Sequence, residues 1–142
     1  MRAYLDWNAT APLRAEARAA MIAAMDLVGN PSSVHAEGRA AKALLERSRE
    51  AVQEALGAGG SDLVFTSGAT EAAALALAGR GLASAPVEHD AVAAWTDGSL
   101  PADRDGRVAV ADPGRAALQL ANSETGVVQE LPAGLAVSDV TQ

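Results

Sequence analysis

The sequence contains no cysteine. That excludes disulfides, thiolate metal sites and any cysteine nucleophile together. Lysine is nearly absent as well: Lys42 is the only one, and histidine occurs twice, at His35 and His89. Chemistry that needs these side chains has few candidates. Aromatic residues make up 3% of the 142 positions, so a core must be built from Ala, Leu and Val. Basic residues number 11 against 18 acidic ones, a net charge of −7, and no run of Lys or Arg forms a stripe. Nucleic acid is therefore not an expected partner. The longest apolar stretch, residues 72–79, is too short to span a bilayer, and no membrane partner is expected. The opening "MRAYLDWNAT" lacks the apolar region of a secretory signal, and the expectation is a cytoplasmic protein.

What is there is ordinary globular material, 49% hydrophobic and 20% charged. The length suits one domain or a large piece of a bigger one, burying roughly 70% of its unfolded surface. Pro12 sits where a first helical turn would begin, and Leu13, Ala17, Ala20, Met21, Ala24 and Val28 follow at helical spacing. "GNPSS" at 29–33 ends that helix. A second helix is predicted over 36–56, with Leu44, Leu45, Val52, Ala55 and Leu56 on one face and Gly57 at its end. Residues 63–66 read as a short buried strand, Ser67-Gly68 as a tight turn, and Ala69 onward as a helix apolar on nearly every face, hence buried. Further strands are predicted at 108–111, 118–121 and 135–138. The order implies an α/β fold, a mostly parallel sheet with flanking helices. Little helical sequence lies between the later strands, although parallel neighbours need crossovers of about a dozen residues.

Four places could carry chemistry. "TSGATE" is a glycine turn feeding a helix, and it aims backbone N–H groups and the helix dipole at one point. Such a point favours an anion by about 0.3–1 kcal/mol from the dipole alone. It is not a Walker A loop, because the lysine and spacing are absent. Alone, it reads more often as an ordinary capped helix. His89 in "VEHDAV" is placed in a loop and, alone, reads as a solvated surface residue. Asn122, Ser123 and Glu124 follow one predicted strand, and Asp139 and Gln142 follow another. Polar groups at two strand ends and one glycine turn fit the rule that α/β sites gather at the carboxyl edge of the sheet.

The blocks "YLDWNATAP", "GNPSSVHAEGR", "VFTSGATEA", "VEHDAV", "ANSETGVVQ" and "SDVTQ", in that order, resemble the cysteine desulfurases. These are class V, aminotransferase-like enzymes that use pyridoxal 5′-phosphate. The resemblance covers essentially the whole chain and corresponds to the front part of such an enzyme. It implies part of the large domain of a fold-type I enzyme over residues 58–142, preceded by N-terminal helices over 1–57 that belong to the small domain and dimer contact. Gly68, Ala69 and Thr70 match the turn that binds the cofactor phosphate. His89 matches the histidine that stacks on the pyridine ring and takes part in proton transfer. Asp139 matches the acid paired with the pyridinium nitrogen, and Gln142 the residue bonded to the phenolic oxygen. Asn122 and Ser123 match positions beside the cofactor and the substrate carboxylate. Ser123 stands where the family usually has a second asparagine, and its hydroxyl reaches less far.

The implied whole enzyme converts L-cysteine to L-alanine and passes sulfur on as a protein persulfide to an acceptor protein, as in iron–sulfur cluster assembly. It is implied to act as a homodimer, or with a complementing C-terminal chain. The Schiff-base lysine and the nucleophilic cysteine of the family have no counterpart among these residues. Lys42 lies mid-helix, and the chain alone is expected to be inactive. Residues 79–87 and 128–135 are shorter than the family's usual stretches, which agrees with the scarce crossovers. Two other readings stand beside this one: another class V enzyme, such as a selenocysteine lyase or an aminotransferase-like relative, and a non-catalytic binding or dimerisation module that keeps only the fold. No metal is expected.

Overall fold

Ala, Arg and Glu dominate residues 36–55, and all three are good helix formers. In the computed structural model, which describes residues 2–7 and 9–141, this stretch is the longest helix. The chain divides into two compact units, Met1–Phe65 and Thr66–Gln142.

The first unit holds α1 (Ala15–Met25) and α2 (Ala36–Ala55). Helix α1 begins after Arg14 rather than at Pro12, because Arg14 keeps an extended backbone and no side chain caps the start. Its large apolar residues Met21, Ile22 and Met25 stay exposed. Helix α2 is capped by His35, whose Nδ1 accepts from the Gly38 N–H at 3.3 Å. Residues 58–65, grouped with the second unit in the sequence reading, are tied back to α2. The Ala58 N–H donates to Gln53 O at 2.8 Å, the Gln53 side chain donates to Ser61 O, and Arg49 Nε donates to Leu63 O at 2.9 Å. The Arg49 guanidinium also lies 5.7 Å from the Phe65 ring centre. The predicted strand at 63–66 does not form: these residues take part in no strand pairing, and Leu63 and Phe65 instead meet Arg49 of α2.

The second unit is α/β. Helix α3 (Ala69–Leu77) and the short α4 (Asp90–Ala93) precede a 3-10 turn at Pro113–Arg115 and two parallel strands, β1 (Ala117–Gln119) and β2 (Val137–Asp139). Gln119 pairs in register with Asp139, so both strands end at one edge. A parallel bridge between Ala83 and Ala116 extends the pairing on the other side of β1. Residues 116–119 are buried throughout, the continuous run expected of a strand covered on both faces. Leu77, Leu82, Val92 and Ala117 form the core, with Ala73, Ala76, Ala136 and Val137 packed on it. Small alanines let α3 lie close to β2 and α4.

Helix α3 is not buried all round as its composition suggested. Only Leu77 is fully buried and Leu75 is 68% exposed, because α4 and β2 cover one side alone. The predicted strand at 108–111 reduces to a single antiparallel bridge between Val108 and Ala102. The Val108 N–H goes instead to the Gln129 side chain, at 3.2 Å.

The scarce crossover also has a structural answer. Residues 120–129 fold back as a tight antiparallel hairpin, with the Asn122 N–H on Val127 O at 2.9 Å and the Gln129 N–H on Leu120 O at 2.7 Å. Gly126, at φ +72°, makes that turn where a side chain would be strained. An irregular segment then leads to β2, pinned by the Ala136 N–H on Pro113 O at 2.8 Å. Gln129, buried, secures the hairpin by donating to Gly106 O at 2.6 Å. Among the described residues no helix is long and apolar enough to cross a membrane.

Candidate functional site

Parallel strands leave their carboxyl ends open to the turns that follow them, and here Gln119 and Asp139 mark that edge. Asp139 closes β2 and is half-buried. Its Oδ1 accepts from the Thr141 N–H at 2.9 Å and from the Thr141 hydroxyl at 2.5 Å. The carboxylate is thus held by a local turn, and Oδ2 lies clear of those two bonds.

Across from it stands the start of α3. Gly68 caps the helix with an extended backbone, φ 167°, and no side chain closes the cap. The Ala72 N–H is the first to reach an i−4 carbonyl, that of Gly68 at 3.1 Å. The N–H groups of Ala69, Thr70 and Glu71 therefore lie ahead of the helix's own ladder. Glu71 turns back to accept from the Ser67 N–H at 2.6 Å, and these bonds hold its carboxyl below the usual range. Ala69 and Asp139 line the same cleft, of about 280 Å³, with Ala73, Val92, Ser138 and Thr141. Its walls are apolar apart from the helix start and the strand end.

His89 is not in a plain loop but caps α4. Its ring is exposed, and Nδ1 accepts from the Ala91 N–H at 3.1 Å. In the neutral ring the proton consequently sits on Nε2. Three turn-side residues later, Val92 reaches the cleft wall.

Asn122 is buried, and its bonds are internal. Oδ1 accepts from the Glu124 N–H at 3.0 Å, the Thr125 N–H at 2.8 Å and the Thr125 hydroxyl at 3.0 Å. Nδ2 donates to Val87 O at 2.8 Å. Its side chain therefore shapes the hairpin and holds the segment that carries His89. Ser123 is half-buried beside it. Gln142 lies outside the described residues.

The structure thus brings Ala69 and Asp139 together in one cleft, with Gly68 and Thr70 adjoining Ala69 in the chain. His89 and Asn122 sit on the elements behind that edge. Two residues were not singled out from the sequence: Glu88 and Gln119. Both are buried, and the Gln119 N–H donates to Glu88 Oε1 at 2.9 Å. The available signal was Gln119 itself, a polar residue inside the apolar run "AALQLA", which obliges a buried amide to find partners. Burial, opposed by the Gln119 bond and reinforced by the Asp139 charge, pushes the Glu88 carboxyl up to about 7. Among the described residues no group of three or more His, Asp and Glu could hold a metal ion.

Comparison with known proteins shows the family. The family described as aminotransferase class-V matches residues 3–97, and the chain belongs to that family. Within it, the chain is 34% identical to a cysteine desulfurase IscS of Dictyoglomus turgidum, with 90% of this chain and 39% of the relative covered. It is 39% identical to a cysteine desulfurase of Cereibacter sphaeroides, over 89% of this chain and 40% of the relative. It is also 44% identical to a selenocysteine lyase of Homo sapiens, over 49% of this chain and 16% of that protein. The chain spans about 40% of the length of the curated desulfurases it matches.

Proposed function

We propose that this chain forms the cofactor cradle of a cysteine desulfurase of fold type I, which converts L-cysteine to L-alanine and hands sulfur to an acceptor protein as a persulfide. The observation that carries the reading is the shared cleft, with a helix start at one side and the Asp139 carboxylate at the other.

These residues fit pyridoxal 5′-phosphate. The N–H groups of Ala69 and Thr70 and the Thr70 hydroxyl suit its phosphate, whereas the Ser67 N–H is already taken by Glu71. Apart from the adjoining chain, nothing lies within 4 Å of the space beside Gly68 where a side chain would start, so an anion has room to approach. When bound, the cofactor supplies an electron sink for the substrate's α-carbon. Asp139, its Oδ1 fixed by Thr141, would hold the proton on the ring nitrogen through Oδ2. His89, its Nδ1 engaged by Ala91, would stack on the pyridine ring and keep Nε2 for proton transfer. Ser123 offers a hydroxyl for the substrate carboxylate.

With no cysteine and with Lys42 exposed in α2, nothing in this chain attacks sulfur, and we expect no sulfide release from cysteine by the chain alone. The reading requires a Schiff-base lysine and a sulfur nucleophile that these residues do not supply, and a homodimer is part of the same reading.

Titration of the chain with pyridoxal phosphate tests the reading. Binding should saturate, and Asp139→Ala should weaken it by about 10- to 100-fold, the worth of one charge-assisted hydrogen bond. Absence of saturable binding, or an unchanged affinity in Asp139→Ala, would leave only a module that keeps the fold. The likeness to selenocysteine lyase favours a second substrate reading, selenocysteine in place of cysteine, which comparing the two substrates on the complete enzyme decides.

A further inference from the structure

Glu88 is 7% exposed, and its Oε2 is buried without a hydrogen-bond partner. Its other oxygen does something specific. On the side of β1 away from β2, the Ala117 N–H donates to Ala83 O at 2.8 Å. The next N–H on that side belongs to Gln119, and a third strand would meet it with a carbonyl. The chain leaves the sheet after Ala83, and Glu88 Oε1 takes the carbonyl's place at 2.9 Å. Two side-chain amides complete the clamp. Gln119 Nε2 donates to Val87 O at 3.0 Å and Asn122 Nδ2 to the same oxygen at 2.8 Å. The residue after Glu88 is His89, which caps α4.

We infer that Glu88 is a positioning residue for His89: as a neutral acid it locks residues 87–89 onto the end of β1, and losing its proton loosens that lock. An ionised carboxylate would place an unpartnered charged oxygen in a buried site, close enough to Asp139 to feel its charge. The charge acting on Glu88 comes from Asp139 at the end of β2. The strand β1 and the hairpin contribute the neutral amides of Gln119 and Asn122. On its own segment, His89 and Asp90 are exposed. What His89 does to a cofactor rests on the function proposed above, but the lock does not depend on it.

The sign follows from linkage. Burial pushes the Glu88 carboxyl up from its ordinary 4.5 to about 7. Its contribution to stability is complete below about pH 4.5 and is lost as pH rises through about 7. The shift corresponds to at most roughly 300-fold in the folding equilibrium, and partial solvent screening brings the expected loss to on the order of 10- to 100-fold. Glu46, Glu71 and Asp97 act oppositely: hydrogen bonds from Arg49, Ser67 and Ser99 lower them, so their contributions are lost only as pH falls into the acid range.

The test uses the full chain without cofactor. Unfolding in urea across pH 4.5–8 should show wild-type stability falling as pH rises, and Glu88→Gln, which keeps a neutral acceptor, should lose that fall. Hydrogen exchange at the Ala91 amide, bonded to His89 Nδ1, should quicken at least tenfold in Glu88→Ala and stay near wild type in Glu88→Gln at pH 5. A Glu88→Gln profile identical to wild type would overturn the inference. So would unchanged Ala91 exchange in a folded Glu88→Ala chain. If the lock behaves as expected and pyridoxal phosphate does not bind, the proposed function has failed and the lock has not.

Discussion

Replacing Gly38 with alanine is expected to destabilise the first unit by about 2–3 kcal/mol, although alanine is the better helix former by about 1 kcal/mol. Gly38 lies in the first turn of α2 and is buried. A Cβ there would sit 2.3 Å from Ser33 O, 2.7 Å from Ser33 Cβ and 2.8 Å from Asn30 O. Those atoms cannot yield freely. The Ser33 N–H is bonded to Asn30 O at 2.9 Å and the Ser32 N–H to Asn30 Oδ1 at 2.9 Å, so the "GNPSS" turn is braced against the helix. Gly29 makes the reciprocal approach, its added Cβ meeting Glu37 O at 2.3 Å. Gly59 is the control: its added Cβ meets nothing within 4 Å, and Gly59→Ala should fall within about 0.5 kcal/mol of wild type. Urea unfolding followed by helical circular dichroism reads both. A Gly38→Ala chain as stable as the control would remove the close-packing account of this motif.

The second large effect is expected at Asn122. Asn122→Ala removes three acceptor bonds in the hairpin turn and one donor bond to Val87, for a loss of about 2–3 kcal/mol. The exposed turn N–H groups regain water, and Val87 O keeps its bond from Gln119, so the loss stays below the sum of the bonds. Asn122→Asp separates the two halves of the role. It keeps an oxygen for the Glu124 and Thr125 N–H groups but sets a carboxylate against Val87 O, and its loss should match or exceed that of alanine. Ala91 exchange should quicken in both variants, because the clamp on residues 87–89 has lost one jaw. Stability within about 0.5 kcal/mol of wild type for Asn122→Ala would mean the hairpin and clamp do not depend on this side chain.

These two residues also mark how far the sequence could be read. The long period of α2, the Ser67-Gly68 start of α3 and a strand close to Asp139, read at 135–138 and formed at 137–139, were legible, because spacing and turn chemistry act within a few residues of themselves. The runs at 63–66 and 108–111 carry strand-like composition, yet a strand needs a neighbour. Here Arg49 claims Leu63 O and the Gln129 side chain claims the Val108 N–H. Asn122 was expected beside the cofactor; that its amide also bonds Val87 and its own turn is a property of the fold that no local pattern displays. Glu88 was hidden because residues 84–89 are irregular and have no period to reveal which side faces inward. The paired glycines of "GNPSSVHAEGR" were visible as turn and helix residues, but their mutual approach is a property of packing. At the site, the glycine turn and Asp139 were legible as candidate chemistry. Their meeting in one cleft required the fold.

The central claim, that this cleft is a pyridoxal phosphate cradle, is tested most directly by amide chemical shifts of the isotope-labelled chain as the cofactor is added. Saturable shifts are predicted at Ala69 and Thr70, across residues 138–141 and around His89. Shifts absent from these positions, or confined to α2 around Lys42, would contradict it.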